Sequence, residues 1–387
     1  MQCKQPFRRL RLNFISRAAT AILAIAVVFA LTVVPLAQAQ KPATSVAWPE
    51  KVLFSFNGTD GSGPTADLIF DAAGNLYGTA GGGEYGAGTV FELTPTAGGG
   101  WTETVLHNFG NGTDGAYPSG GLVFDAAGNL YGTTPDGGTY SCFGGGGCGT
   151  VFELTPAAGG SWTEQVLHNF NGVTDGYQPV AGLIFDAAGN LYGTTAGGGP
   201  GGTVFELTPT GDGNWTEEVL HTFGIGTDGA VPTAALVFDA AGNLYGTTYH
   251  GGTNNSCVYT GCGTVFELTY SGGTWWYQVL HNFGSGSDGY WPQANLIVDA
   301  AGNLYSTTFQ GGTHGEGTVF EVTPGSGGRW TEQVLHSFNG ADGYWPWAGL
   351  IFDAAGNLYG TTNRGGAYEA GTIFELMPIR PCAKCSH

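Results

Sequence analysis

The chain has 387 residues, 71 of them glycine, with 42% hydrophobic and 11% charged side chains and a formal net charge of −19. Eleven Lys and Arg against 30 Asp and Glu exclude a nucleic-acid ligand, whose phosphates need clustered cations. No stretch shows helical spacing, and the glycine excess suits a protein built from many tight reversals between short strands.

Residues 1–39 read as a signal peptide. Lys4, Arg8, Arg9, Arg11 and Arg17 precede an apolar run from Ala18 to Val34, and Ala37-Gln38-Ala39 fits a small-x-small cleavage site. The run is short for a bilayer-spanning helix, so export with cleavage is expected and a retained anchor is the alternative. The leader holds five of the eleven basic residues and none of the 30 acidic ones, so the mature chain carries six against 30, a net −24. An exported, extracellular, periplasmic or cell-surface monomer with no membrane span in the mature chain is expected.

Asp-Ala-Ala-Gly-Asn-Leu-Tyr then recurs six times, from Asp71, Asp125, Asp186, Asp239, Asp299 and Asp353, inside a repeat of 53 to 61 residues. A unit of this length that cannot bury its own apolar face must stack on its neighbours, as in solenoids and propellers. One repeat holds four apolar alternations separated by turn residues: 162–170, 182–185, 191–195 and 203–207. The segment from Trp48 to Leu53 matches that from Trp162 to Leu167, whereas the last copy stops at Leu376 without a Trp-bearing strand. The expected fold is an all-β, six-bladed β-propeller of four-stranded antiparallel blades over residues 48–378. Its ring is closed by the N-terminal strand 48–56, which completes the last blade against residues 371–376. Residues 379–387 form a Cys-containing C-terminal tail.

The two longest repeat intervals, 61 and 60 residues, contain Cys142 and Cys148 and Cys257 and Cys262. Both pairs fall in the same loop of alternate blades, so two local disulfides are expected in an exported protein, with metal binding the rival. Cys382 and Cys385 in the tail read as a terminal disulfide or free thiols, with a redox or metal site as the alternative.

The units Leu-Val-Phe-Asp-Ala-Ala-Gly-Asn-Leu-Tyr-Gly-Thr-Thr, as at Leu122 to Thr134, and Gly-Thr-Val-Phe-Glu-Leu-Thr-Pro, as at Gly149 to Pro156, resemble the GloVer tandem repeat of bacterial exported proteins. The resemblance covers residues 48–378. A looser similarity to NHL-type and gluconolactonase-like six-bladed propellers implies that the strand after each Asp-Gly-x-x-Pro loop is innermost. That loop and the Cys-bearing loop then share one face, here called the upper face. Asp60, Asp114, Asp175, Asp228, Asp288 and Asp342 would circle the channel mouth there. No cofactor is expected; calcium or another divalent cation on this ring is possible, and local backbone bonding in Asp-Gly turns is the competing reading. The recurrent His107, His168, His221, His281 and His336 are read as structural for the same reason.

Function is sought where copies differ. The loop after Asp-Gly gathers Tyr177, Tyr290, Trp291, Tyr344, Trp345 and Trp347, mostly in two adjacent blades. Flat rings beside carboxylates and amides suit stacking on sugars, so a non-catalytic module binding glycan or an extracellular partner is expected. The alternative polar site, His250, His314, Glu316, Arg364 and Glu369, would serve a metal-assisted lactonase- or lyase-like enzyme. Enzyme activity is not the favoured reading. A purely structural protein-interaction scaffold is the third.

Overall fold

The computed structural model describes residues 52–378 except 143, 144, 225, 255 and 258–260. The leader, residues 48–51 of the expected closing strand and the tail cysteines lie outside the described residues. What is described forms six antiparallel meanders in chain order, the blades of a six-bladed propeller. In the third blade the strands are Ile184–Phe185, Leu191–Thr195, Thr203–Pro209 and Trp215–Thr222, with each pairing to the next.

Burial follows position in the blade. The second strand, Leu-Tyr-Gly-Thr-Thr, is buried along its whole length, as a strand covered on both faces must be. The outer strand, Trp-Thr-Glu-Glu-Val-Leu-His-Thr, alternates exposed and half-buried residues over its first half because its outer edge meets solvent.

The shared Asp-x-x-x-Asn-x-Tyr string has a structural cause. Asp186 Oδ1 accepts the N–H groups of Ala188 and Asn190 at 2.8 Å each. The Asn190 side-chain amide donates to Asp186 Oδ2 at 2.9 Å. The Tyr192 hydroxyl lies 3.2 Å from Asp186 Oδ2 and 2.9 Å from Glu206 Oε1. One carboxylate thus closes the turn between the first two strands and, through tyrosine, ties it to the third. Burial, with Glu206 beside it, drives ionisation of the Tyr192 hydroxyl well above the ordinary phenol range. The same set recurs in the first blade around Asp71, Tyr77 and Glu92.

Blades join through two repeated contacts. Just past each outer strand a buried phenylalanine meets a third-strand phenylalanine of the next blade edge-on: Phe109 and Phe152 at 5.0 Å, Phe170 and Phe205 at 5.1 Å, Phe223 and Phe266 at 5.2 Å, Phe283 and Phe320 at 5.0 Å, Phe338 and Phe374 at 5.1 Å. The second contact comes from the residue before each loop proline. Tyr117, Gln178, Val231, Trp291 and Trp345 hold φ between 56° and 62°, a region costly for residues with a Cβ. Each donates its N–H to a carbonyl of the preceding blade: Ala87 at 2.6 Å, Cys148 at 3.0 Å, Gly201 at 2.7 Å, Cys262 at 2.9 Å and Glu316 at 3.0 Å. The proline that follows packs on a glycine of that same preceding blade.

Closure of the ring is seen only in part, because residues 48–51 of the expected closing strand lie outside the described residues. The last sheet has three strands among the described residues, Ile351–Phe352, Leu358–Thr362 and Thr372–Leu376, and residues 52–56 carry no ladder. Leu53, Phe54 and Phe56 pack on Leu76, Ala80, Phe91 and Leu93 of the first blade. Phe56 meets Phe91 at 5.0 Å, the same edge contact that the other five seams make. The segment therefore takes the packing place of an outer-strand end without its hydrogen bonds. Ile373 is left 84% exposed, whereas its counterpart Val151 is fully buried.

A methyl group added to Gly317 would lie 2.6 Å from both Pro346 Cδ and the Thr308 carbonyl oxygen, on a backbone at φ +103°. Gly317→Ala should therefore cost about 3 kcal/mol, through overpacking and left-handed strain together. Equilibrium urea unfolding measures it, and a loss below about 0.5 kcal/mol would contradict this seam geometry.

Candidate functional site

The Asp-Gly-x-x-Pro loop and the loop between second and third strands do share one face. Their backbones join in every blade, at Ser62 and Gly81, Ala116 and Asp136, Tyr177 and Gly197, Ala230 and His250, Tyr290 and Gln310, and Tyr344 and Arg364. Both expected disulfides form in the second of these loops, Cys142 with Cys148 and Cys257 with Cys262, at Cα separations of 5.0 and 5.4 Å. Cys148 and Cys262 are buried and supply two of the seam carbonyls. Such bonds belong to an oxidising compartment. Among the described residues no helix is long and apolar enough to cross a membrane.

The loop aspartates are held at the seams. His107, His168, His281 and His336 Nε2 lie 2.9 to 3.1 Å from Asp114, Asp175, Asp288 and Asp342, and His221 lies 3.5 Å from Asp228. The other Asp114 oxygen accepts the Gly110 N–H at 3.1 Å. These carboxylates thus bind outer-strand histidines and local backbone, away from the channel lining. No group of three His, Cys, Asp or Glu suited to a metal occurs among the described residues. Across each seam a third group approaches. Burial, reinforced by Asp114, pushes Glu164 up to about 7, and burial with Asp60 does the same for Glu103. Glu217 and Glu332 are also raised to about 7, chiefly by burial. In the fourth blade Tyr277 takes this place and stacks on His221 with centroids 3.8 Å apart.

A channel with a volume of 690 Å³ runs between the blades, lined by the residues that follow each loop proline. Its polar side chains concentrate in one sector: Gln293 and Asn295 from the fifth blade, Asn363 from the sixth, and Thr65 and Asp67 from the first. The opposite sector offers Ser119, Val180 and Thr233 among glycines and alanines. Trp347 lines the channel and is 55% exposed. Its ring meets Phe309 at 5.5 Å, and Phe309 stacks on Trp345, also at 5.5 Å.

The other aromatic candidates are spread along the upper face. Tyr344 leans edge-on against Trp345 at 5.0 Å, and Tyr290 against Trp291 at 5.0 Å. Trp291 lies 5.5 Å from Tyr249, while half-buried Tyr177 packs into the seam core beside Cys142. The alternative polar residues occupy three blades: His250 beside Tyr249 in the fourth, His314 and Glu316 in the fifth, and Arg364 and Glu369 in the sixth, with Glu369 at φ 57°. Sequence reading missed Asp67, Gln293, Asn295 and Asn363. A signal existed, because the third residue after the proline is Asp67 or Asn295 in two copies and Gly121, Gly182, Ala235 or Gly349 in the others.

The profile of the Gloeobacter/Verrucomicrobia repeat matches residues 41–260 and 257–382. The chain belongs to this family. No curated protein matches this member of the Gloeobacter/Verrucomicrobia repeat family. Among solved structures it is similar to an alpha-L-arabinofuranosidase (CtGH43) from Clostridium thermocellum ATCC 27405, at 11% identity and a TM-score of 0.39, over 71% of this chain and 94% of that one. A Dyadobacter fermentans DSM 18053 protein of unknown function gives 12% and 0.42, over 84% and 98%. Trypanosoma rangeli sialidase gives 12% and 0.44, over 81% and 54%.

The seam carboxyls fix a pH dependence. A Glu raised to about 7 when folded adds stability that is complete below its unfolded value and lost as pH rises through about 7. His107 and His221, lowered by burial, act oppositely and lose their contribution as pH falls below the ordinary histidine value. Stability should therefore decline between about pH 4.5 and about pH 7, and level off above it, by ~1 kcal/mol per Glu after discounting for partial exposure. Glu164→Gln with Glu217→Gln should flatten that decline in thermal melts; an unchanged slope would contradict the assignment.

Proposed function

We propose that this protein is an exported, non-catalytic binding module that takes a glycan at the upper mouth of its channel. The observation that carries this reading is Trp347, 55% exposed on a channel wall and braced by Phe309, with amide and hydroxyl side chains in the same sector. A flat, exposed ring at the channel mouth can stack on a sugar face, and neighbouring amides can bond its hydroxyls. The bracing matters because a ring already fixed by packing loses little freedom on binding. The two disulfides support export.

Trp347→Ala should weaken retention on a glycan array, and lower affinity for the best ligand about tenfold by calorimetry, without changing the melting temperature. Unchanged retention on every glycan bound by the native protein would remove Trp347 and this mouth from the reading.

A further inference from the structure

The third residue after each loop proline forms an inner ring around the channel. A Cβ on Gly121 would lie 4.0 Å from Asp67 Cβ, and one on Gly349 would lie 3.9 Å from Asn295 Cβ, so neighbours in this ring come from neighbouring blades. Four of its members are Gly or Ala, and only Asp67 and Asn295 carry polar side chains. Asn295 Oδ1 already accepts the Ala235 N–H at 2.8 Å, so the group it can offer is its N–H₂ donor. Asp67 is exposed and offers acceptors and a negative charge. The channel thus presents one anion, from the first blade, and one amide donor, from the fifth.

Electrostatics narrows the ligand. Of the 30 acidic residues only Glu50 lies outside residues 52–378, leaving 29 there against two basic ones, Arg329 and Arg364. Arg364 stands on the loop beside Asn363, and Glu369 belongs to the same loop. Asp67 is the one charged side chain among the described channel residues. Such a field draws in cations and repels uronates, sialates and sulfated sugars.

Resting on the glycan reading above, we propose that the channel selects a saccharide carrying a free amine, its ammonium on the Asp67 carboxylate and a neighbouring oxygen accepting from Asn295. The small residues of the remaining ring leave room for the sugar, and Trp347 covers one face of it.

The test is calorimetry at about pH 6 with a chitosan tetramer, its fully N-acetylated counterpart, an oligogalacturonate and a lysine-rich peptide, on the native protein and Asp67→Asn. The free-amine tetramer should bind about fivefold tighter than the acetylated one, and Asp67→Asn should erase that difference while leaving the acetylated tetramer and the melting temperature unchanged. Equal binding of the two tetramers, preference for the oligogalacturonate, or equal binding of the peptide overturns the amine selection alone. Failure of every saccharide to bind overturns it together with the glycan reading.

Discussion

Five residues held at positive φ bind the blades into one body. Each donates its N–H across a seam, and each precedes a proline that packs on a glycine of the blade before it. A side chain in the left-handed region costs about 1 kcal/mol or more. A buried backbone bond and an edge-on phenylalanine pair at the same seam offset that cost. The position accepts Tyr, Gln, Val or Trp, so what it requires is the backbone bond and not a particular side chain.

That lock also places the channel. In the second to sixth blades the residues lining it begin directly after the locked proline, so their register is fixed by the preceding blade as well as their own. Ligand-facing side chains of those five blades therefore stand on backbone held by two blades, which favours pre-organised recognition. The same geometry separates two kinds of carboxylate. Those of the Asp-Ala-Ala-Gly-Asn turns and of the seams are consumed by backbone, tyrosine or histidine partners, as Asp186 and Asp114 show. Asp67 stands apart from both sets, on the channel itself.

Most of the architecture was legible in the sequence because each strand has a fixed partner pattern. The strand limits read between Trp162 and Leu207 fall within two residues of those observed, and both loop disulfides follow from the two long intervals. Closure was legible in part: matching Trp48 to Trp162 captures the side-chain packing, since Phe56 does pack on Phe91, whereas residues 52–56 carry no ladder. The loop aspartates were placed at the channel mouth because Asp-Gly-x-x-Pro leads to the inner strand. Their histidine partners, 6 or 7 residues earlier on the outer strand, draw them to the seam instead. Trp291 and Trp345 could be read as aromatic but not as left-handed, since φ at that site is imposed by the neighbouring blade.

Amide hydrogen exchange at Tyr117, Gln178, Val231, Trp291 and Trp345 tests the locks between blades most directly. These residues lie in loops, and Tyr117 is 53% exposed, so solvent access alone would let them exchange quickly. Protection as strong as that of buried second-strand amides such as Tyr131 and Tyr192 is the expected result. Exchange as fast as that of the surface turn glycines would mean that the blades are joined by side-chain packing alone.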